Sequence, residues 1–582
     1  VKPPHPLART LVTVRSQSFL IDLVVILCGL ALFFGMIQLA TYWMASPMPE
    51  VPISHSVRAL PLYACYSLGR MAFAYLLSLI FAISYGYTAA YNPRVEAWMI
   101  AVLDILQSIP VLSFLPPVML AMMALVPGHQ LGIEMGSILL IFTGQVWNLA
   151  FSFYSSLKGI PREMIEASRI YRYSAWQRFW QLEMPFAAIG LVWNSIVSVA
   201  VGWFFLITCE MFPLGKRSFR LPGLGSYLQT AASANPVDFH ALLWGLGVLV
   251  LIIVATDQLL WRPLIAWSEK FKFEQTESAS RVTSPILALL QRSTTLTRLP
   301  SRAFTAIEER ILRRLSITRD CRVVHPIDDD SGSRSNLTTY LLAFFAALAV
   351  LWGAAEAYRI LQAVTWSEIH LLLLGAGATY LRVAATLLLG ALWTIPVGVA
   401  IGLNPRLARI LQPITQIMAS IPATALFPVL MLGLIRLGGG LGIGSILLMM
   451  LGTQWYILFN VIAGAMAIPS DLEEAAQVYR FSLWQRWTRL ILPGIFPYLV
   501  TGMITASGGA WNASIIAEYF HIGDRTLQTL GLGAQISAAT DSGSFSTLLL
   551  ATILMATIVV TTNRLIWRRL YRLAETRYKL EG

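Results

Sequence analysis

Charge is scarce in this chain. Asp, Glu, Lys and Arg make up 12% of its 582 residues, about half the share in an ordinary soluble domain. No charged side chain occurs in Leu23–Pro49, Met71–Pro93, Met184–Cys209, Val383–Pro405, Ile410–Ile435, Leu437–Ser470, Leu490–Ala517 or Ser542–Asn563. Each run is long enough to cross a bilayer as a helix, which takes about 20 apolar residues. A soluble core can hide one such helix but not eight, so a soluble protein is excluded. Cysteine is scarce too. Cys28, Cys65, Cys209 and Cys321 form no CxxC or other metal-ligand spacing, so neither a zinc site nor a disulfide framework is expected. The GxxxxGK[ST] phosphate loop is missing as well, and without it the chain is not expected to hydrolyse ATP. The opening "VKPPHPLARTLVTVRSQSFLIDL" lacks a short apolar core with a small-residue cleavage site. It is expected to be retained rather than removed as a signal peptide.

What is present is a net charge of +12, gathered between the apolar runs. Nucleic acid is one partner such a charge can serve, but basic loops on the cytoplasmic side of a membrane protein account for it better. Twelve spans are expected, near 19–43, 62–90, 97–126, 133–157, 185–209 and 241–265, then 337–362, 373–403, 408–436, 441–467, 493–517 and 544–566. The expected domains are a first six-helix half at 1–265, a polar cytoplasmic linker at 266–336 and a second six-helix half at 337–582. Lys2, Arg9 and Arg15 before the first span, and "RLIWRRLYRLAETRYKL" after the last, place both termini in the cytoplasm by the positive-inside rule.

The halves repeat. "NPR" at 92–94 returns at 404–406, and "QSIPVLSFLPPVML" at 107–120 returns as "ASIPATALFPVLML" at 419–432, both offset by 312. The offset then drops to 308: Glu166 matches Glu474, "YSAWQRF" matches "FSLWQRW", Glu210 matches Glu518, and "GLG" at 223–225 matches "GLG" at 531–533. Repeats of this kind bear on the whole architecture. Six spans return the chain to its starting side, so the copies are parallel. The expected fold is an all-α polytopic membrane protein built as two tandem halves about a pseudo-two-fold axis.

After the fourth span of each half comes a polar stretch, "IEASRIYRYSAWQRFWQLEMP" and "EEAAQVYRFSLWQRWTRLILP". The second reads as a short amphipathic helix with Ser470 or Asp471 as N-cap and acidic residues in the first turns, where the helix dipole favours them. An interfacial anchor explains its Trp and Arg. It does not explain a Glu-Ala pair followed nineteen residues after the Glu by a proline, in both copies. Glu474-Ala475-Ala476 through Leu490-Ile491-Leu492-Pro493 resembles the EAA loop of ABC-importer permeases, and Glu166-Ala167-Ser168 through Pro185 has the same spacing. Arg172 and Arg480 stand where that motif has glycine, so the turn after the helix is expected to differ in detail. The "SIP" segments and the Glu before Gly-Leu-Gly are similar to permeases of the nitrate, sulfonate/taurine and bicarbonate group. The resemblance covers roughly 60–265 and 373–566.

The resemblance implies a type I importer permease with both halves in one chain. Two separate ATPase subunits would carry ATP and Mg, an outer solute-binding protein would deliver substrate, and the chain would lie in a bacterial inner membrane. It implies that Glu166, Ala167, Ser168, Tyr171, Arg172 and Trp176 couple to one ATPase, and Glu474, Ala475, Ala476, Tyr479, Arg480 and Trp484 to the other. Ala167 and Ala475 are expected to face the partner's groove. Polar side chains within spans tend to face a bundle interior or a water-filled path. Asp104, Gln107, Gln145, Asn148, Asn194 and Glu210, with Gln416, Gln454, Asn512 and Glu518, are the path candidates. Hydrogen bonding between helices is the simpler explanation for most Ser, Thr and Asn within spans. For Glu210 and Glu518 a hydrogen bond to the following turn is slightly preferred. A twelve-helix secondary transporter and a membrane scaffold are the competing functions. Neither accounts for both the paired polar stretches and the polar groups within spans.

Overall fold

The computed structural model describes residues 52–271 and 358–577, with Trp352 and Ala355, apart from 109, 127–129, 215–216, 235–236, 437–439 and 523–524. The spans expected at 19–43 and 337–362 fall almost wholly outside these residues, as does the linker from residue 272. Among the described residues, eight helices are long and apolar enough to cross a membrane. The first half contains α1 (Leu60–Tyr91), α2 (Pro93–Ser108), α3 (Leu115–Leu125), α4 (Leu131–Lys158), α5 (Arg162–Ile170), α6 (Ala175–Cys209), α7 (Leu224–Ser233) and α8 (Phe239–Ser268). The second half repeats them as α9 (Trp366–Leu403), α10 (Pro405–Ser420), α11 (Ala423–Arg436), α12 (Leu441–Met466), α13 (Ser470–Val478), α14 (Leu483–Ala517), α15 (Leu532–Ser542) and α16 (Phe545–Ala574).

The spans expected at 97–126 and 408–436 are not single helices. Each is cut within its Ser-Ile-Pro motif, into α2 and α3 in the first half and α10 and α11 in the second. Proline lacks an N–H and pushes the preceding residue out of helical geometry. Ile421, before Pro422, accordingly sits extended, at φ −74° and ψ 118°, and in the first half Pro110 is itself extended before a short 3-10 turn at Val111–Phe114. The long helices α6 and α14 each carry a π turn, at Phe179–Glu183 and Trp487–Ile491, positions related by 308. The all-α expectation holds for the architecture. Each half carries a small antiparallel hairpin, Met211–Leu214 with Arg217–Arg220 (β1, β2) and Tyr519–Ile522 with Arg525–Gln528 (β3, β4).

Small residues let the helices pack closely, as membrane bundles require. Ala74, Ala82 and Ala89 line one fully buried face of α1. A Cβ added at Gly86 would run into Phe153 and the α4 backbone. The two halves meet reciprocally. Leu112 N–H donates to Asn512 Oδ1 at 3.4 Å, and Thr424 Oγ1 donates to the Phe204 carbonyl at 3.4 Å. Leu112 and Thr424 are repeat partners, and so are Phe204 and Asn512. One patch thus contacts the other's equivalent in both directions, which is the mark of a two-fold relation.

Candidate functional sites

Two short helices stand between long ones. Pro161 and Pro469, in extended geometry, precede α5 and α13. One side of each helix is buried: Ser168 and Ala476 are 5% and 6% exposed. Met164 and Ile165 pack against a buried cluster that includes Leu157, Ile160 and Leu182. Ala167 and Ala475, expected to face outward, are half-buried, while Glu166 and Glu474 are exposed. The residue after each of those alanines is the more buried of the two. The outward surface is instead large and apolar. Ile170, Tyr171, Val478 and Tyr479 are 74–79% exposed, Leu483 and Trp484 are 80% and 77% exposed, and Trp176 is open as well.

The turn after each helix does not differ from a glycine turn, contrary to expectation. Arg172 and Arg480 adopt φ 53° and 48°, in the left-handed region. Tyr173 N–H reaches back to the Ser168 carbonyl and Phe481 N–H to the Ala476 carbonyl, both at 2.9 Å. This is the helix stop that glycine normally makes. Here arginine backbones bear the strain, about 1–2 kcal/mol for an L-residue in that region. Ser174 with Gln177, and Ser482 with Gln485, then form capping boxes that start α6 and α14. The first connector is also tied to the bundle. Glu183, buried in the π turn, accepts from Tyr91 Oη at 2.5 Å and Arg178 Nε at 2.7 Å. Ile491 replaces it in the second half, where Arg486 lies 3.5 Å from Glu473 instead.

At the other end of α6, Glu210 is fully buried. It accepts from Ser67 Oγ at 2.6 Å, Arg70 Nη1 at 2.7 Å and the Gly225 N–H at 2.6 Å. Arg70 also holds Glu134 at 2.5 and 2.6 Å and the Pro222 carbonyl at 2.9 Å. Glu518 repeats the arrangement, with Thr379 Oγ1 at 2.8 Å, Arg382 Nη1 at 2.9 Å and the Gly533 N–H at 3.0 Å. Gly223 and Gly531 are required by close approach, because a Cβ at either would run into the carboxylate. Sequence reasoning missed Arg70 and Arg382. The signal was present: each is an arginine inside an apolar run, and they repeat at offset 312.

The remaining path candidates separate. Gln107, Asn148 and Asn194 come together in a pocket of about 300 Å³ with Phe151, Ser152, Ser155 and Ser156. Gln107 Nε2 donates to Asn148 Oδ1 at 3.3 Å, and Asn194 Nδ2 to Ser152 Oγ at 3.0 Å. Gln145 is buried elsewhere, donating to Met71 Sδ at 3.2 Å. Asn512 belongs to the contact between halves. Gln454 is buried in α12, and Gln416 is half-buried in α10. Asp104 lies in α2, but its side chain is outside what the structure describes.

The chain was compared with known proteins. The family model described as binding-protein-dependent transport system inner membrane component matches twice, at residues 74–257 and 394–572. The chain is similar to a nitrate import permease protein of Leptolyngbya laminosa, 29% identical over 189 residues, which are 32% of this chain and 64% of that protein. It is similar to a bicarbonate transport system permease protein of Synechococcus elongatus, 29% identical over 189 residues (32% and 65%). It is also similar to a taurine transport system permease protein of Escherichia coli, 30% identical over 163 residues (28% and 55%). The chain thus spans less than two thirds of the length of each of these relatives. Two family matches, falling on two units that repeat in sequence and pack reciprocally, identify a multi-pass membrane protein of the binding-protein-dependent transport system inner membrane component family, with two copies of the domain in one chain.

Proposed function

We propose that this chain is the membrane permease of an ABC importer, moving a small oxyanion such as nitrate, bicarbonate or a sulfonate inward. The observation that carries the reading is the duplicated connector helix. Each copy is packed on one side and exposes a large apolar surface on the other. An apolar patch kept in the open, twice and in equivalent places, suits a partner surface. In this reading each copy seats in one of two ATPase subunits, which supply ATP and Mg. An outer solute-binding protein presents the substrate. The chain itself performs no hydrolysis. Both termini and residues 266–336 lie in the cytoplasm of a bacterial inner membrane, where basic loops gather. The oxyanion assignment rests on the solutes that the similar permeases are named for.

The mechanism follows from stiffness. Three residues join α4 to α5, and four join α5 to α6, so α5 cannot move without its neighbours. Glu183 extends the link to α1 through Tyr91. α6 then runs to the contact with α11 of the other half. When the ATPases close, the connectors approach, and rigid-body rocking of one half against the other alternates access. The test is uptake by proteoliposomes holding the permease, its ATPases and its binding protein. Uptake of one of these anions that requires ATP on the connector side is the expected result. Uptake driven by an ion gradient without the ATPases would overturn the reading.

A further inference from the structure

The two halves share a fold but not a lining. Among the described residues, the pocket between α2, α4 and α6 is walled by three carboxamides, Gln107, Asn148 and Asn194, by three hydroxyls, Ser152, Ser155 and Ser156, and by Phe151. Asn148 lies ten residues from the connector end of α4 at Lys158, and Asn194 lies ten from Met184 in α6. At 1.5 Å per residue that is about 15 Å, half the hydrocarbon thickness of a bilayer. The pocket therefore reaches from mid-membrane toward the connector helices.

In the second half these seven positions read Ala419, Tyr456, Gly502, Asn460, Ala463, Gly464 and Phe459. The three amides and three hydroxyls become one amide and one phenol. Asn460 Nδ2 donates to the Tyr456 carbonyl of its own helix at 2.8 Å, as Asn194 Nδ2 does to the Gly190 carbonyl at 3.0 Å, so the halves differ in the number of polar groups rather than in this bond. Space is also lost there. A Cβ at Gly502 would run into Asn460 and the α12 backbone, and one at Gly464 into Tyr498.

We infer that the pocket in the first half is a one-sided substrate subsite, which holds a small oxyanion through neutral amide and hydroxyl donors. The inference rests on the importer reading. The chemistry suits transit: neutral donors satisfy the oxygens of an anion without a fixed countercharge, and a path needs binding weak enough to release. The amide and hydroxyl oxygens also accept, so a solute carrying its own donor is accommodated. The second half supplies a wall rather than a partner site.

The experiment uses the assembled transporter in proteoliposomes, with nitrate, bicarbonate and taurine as competing substrates. The variants are Asn148→Ala, Asn194→Ala and Ser155→Ala in the pocket, with Tyr456→Phe as the second-half control. Ser155 is exposed, so Ser155→Ala carries the test where an asparagine variant fails to assemble. The expected result is a tenfold or greater rise in half-saturating anion for the asparagine variants, a smaller rise for Ser155→Ala, and a changed order of preference among the anions. Hydrolysis stimulated by the binding protein stays at the wild-type rate, and Tyr456→Phe changes neither uptake nor preference. Unchanged uptake and preference in the assembled pocket variants, or an equal effect from Tyr456→Phe, would overturn the one-sided subsite. Absence of ATP-driven uptake of any of these anions by the wild type would instead overturn the importer reading beneath it.

Discussion

Arg172 and Arg480 hold a conformation that glycine adopts without penalty. Their backbones close the helix stop, while their side chains are exposed. Arg480→Gly should therefore raise stability by about 0.5–1 kcal/mol, because relief of the left-handed strain outweighs the added chain entropy of glycine. Arg480→Ala should give no such gain. Thermal unfolding of the purified chain in detergent checks the pair. Departure from the glycine of the EAA pattern was visible in the sequence; preservation of the turn was not. Whether a backbone yields or a turn changes depends on what else is bonded there, and the Tyr173 and Phe481 amides decide it. A second residue-scale prediction concerns Arg382. Its guanidinium is 14% exposed against a fully buried Glu518. Removing one member of a buried pair leaves an uncompensated charge, at a cost of about 3–5 kcal/mol. Arg382→Met should lower the thermal midpoint sharply, and Arg382→Met with Glu518→Met should recover much of the loss. Arg70 and Arg382 went unread because each bounded a charge-free run, and although both fall within the expected spans 62–90 and 373–403, neither was weighed as a buried partner for a glutamate.

Among the elements, the connectors were the most legible. Charged and aromatic residues at helical spacing between apolar runs marked α5 and α13, and the repeat fixed their equivalence. Which face turns outward was not legible. Small residues suggested a docking face, yet Ser168 and Ala476 fit against the bundle, and the aromatic side is open. Packing on both neighbouring helices sets that rotation, and a nine-residue segment does not encode it alone. The difference is testable. Ala476→Trp should overpack the bundle side and lower the thermal midpoint, with a cost of about 1–3 kcal/mol. Trp484→Ala, on the open side, should leave the midpoint within about 0.5 kcal/mol of wild type. The broken third spans were legible in principle. Pro110 and Pro422 follow the same Ser-Ile pair, but a run with no charge conceals an interruption that only backbone geometry imposes.

For the whole molecule, the constant offsets of 312 and 308 carried the architecture, and the paired contacts of Leu112 with Asn512 and Thr424 with Phe204 express it in space. The halves contact each other through these faces, so their association is expected to survive loss of the covalent link. A protease site inserted within 272–336 should, after cleavage, leave both fragments in one peak on size exclusion in mild detergent. Separation into two would count against an intramembrane interface. The asymmetry of the polar pocket was only half-legible. Asn194 against Gly502 follows from the offset of 308, but the joining of Gln107, Asn148 and Asn194 across three helices needed the fold.

The central claim is that the two exposed connector surfaces seat the ATPases. The most direct measurement is copurification of the chain with its ATPase subunits, with and without Tyr171→Asp and Tyr479→Asp together. Both tyrosines point away from the bundle, so a carboxylate at each should leave the thermal midpoint of the isolated chain unchanged. The expected result is a folded permease with no ATPase bound and no ATP-driven uptake. A doubly substituted chain that retains its full complement of ATPase and transports at the wild-type rate would contradict the account.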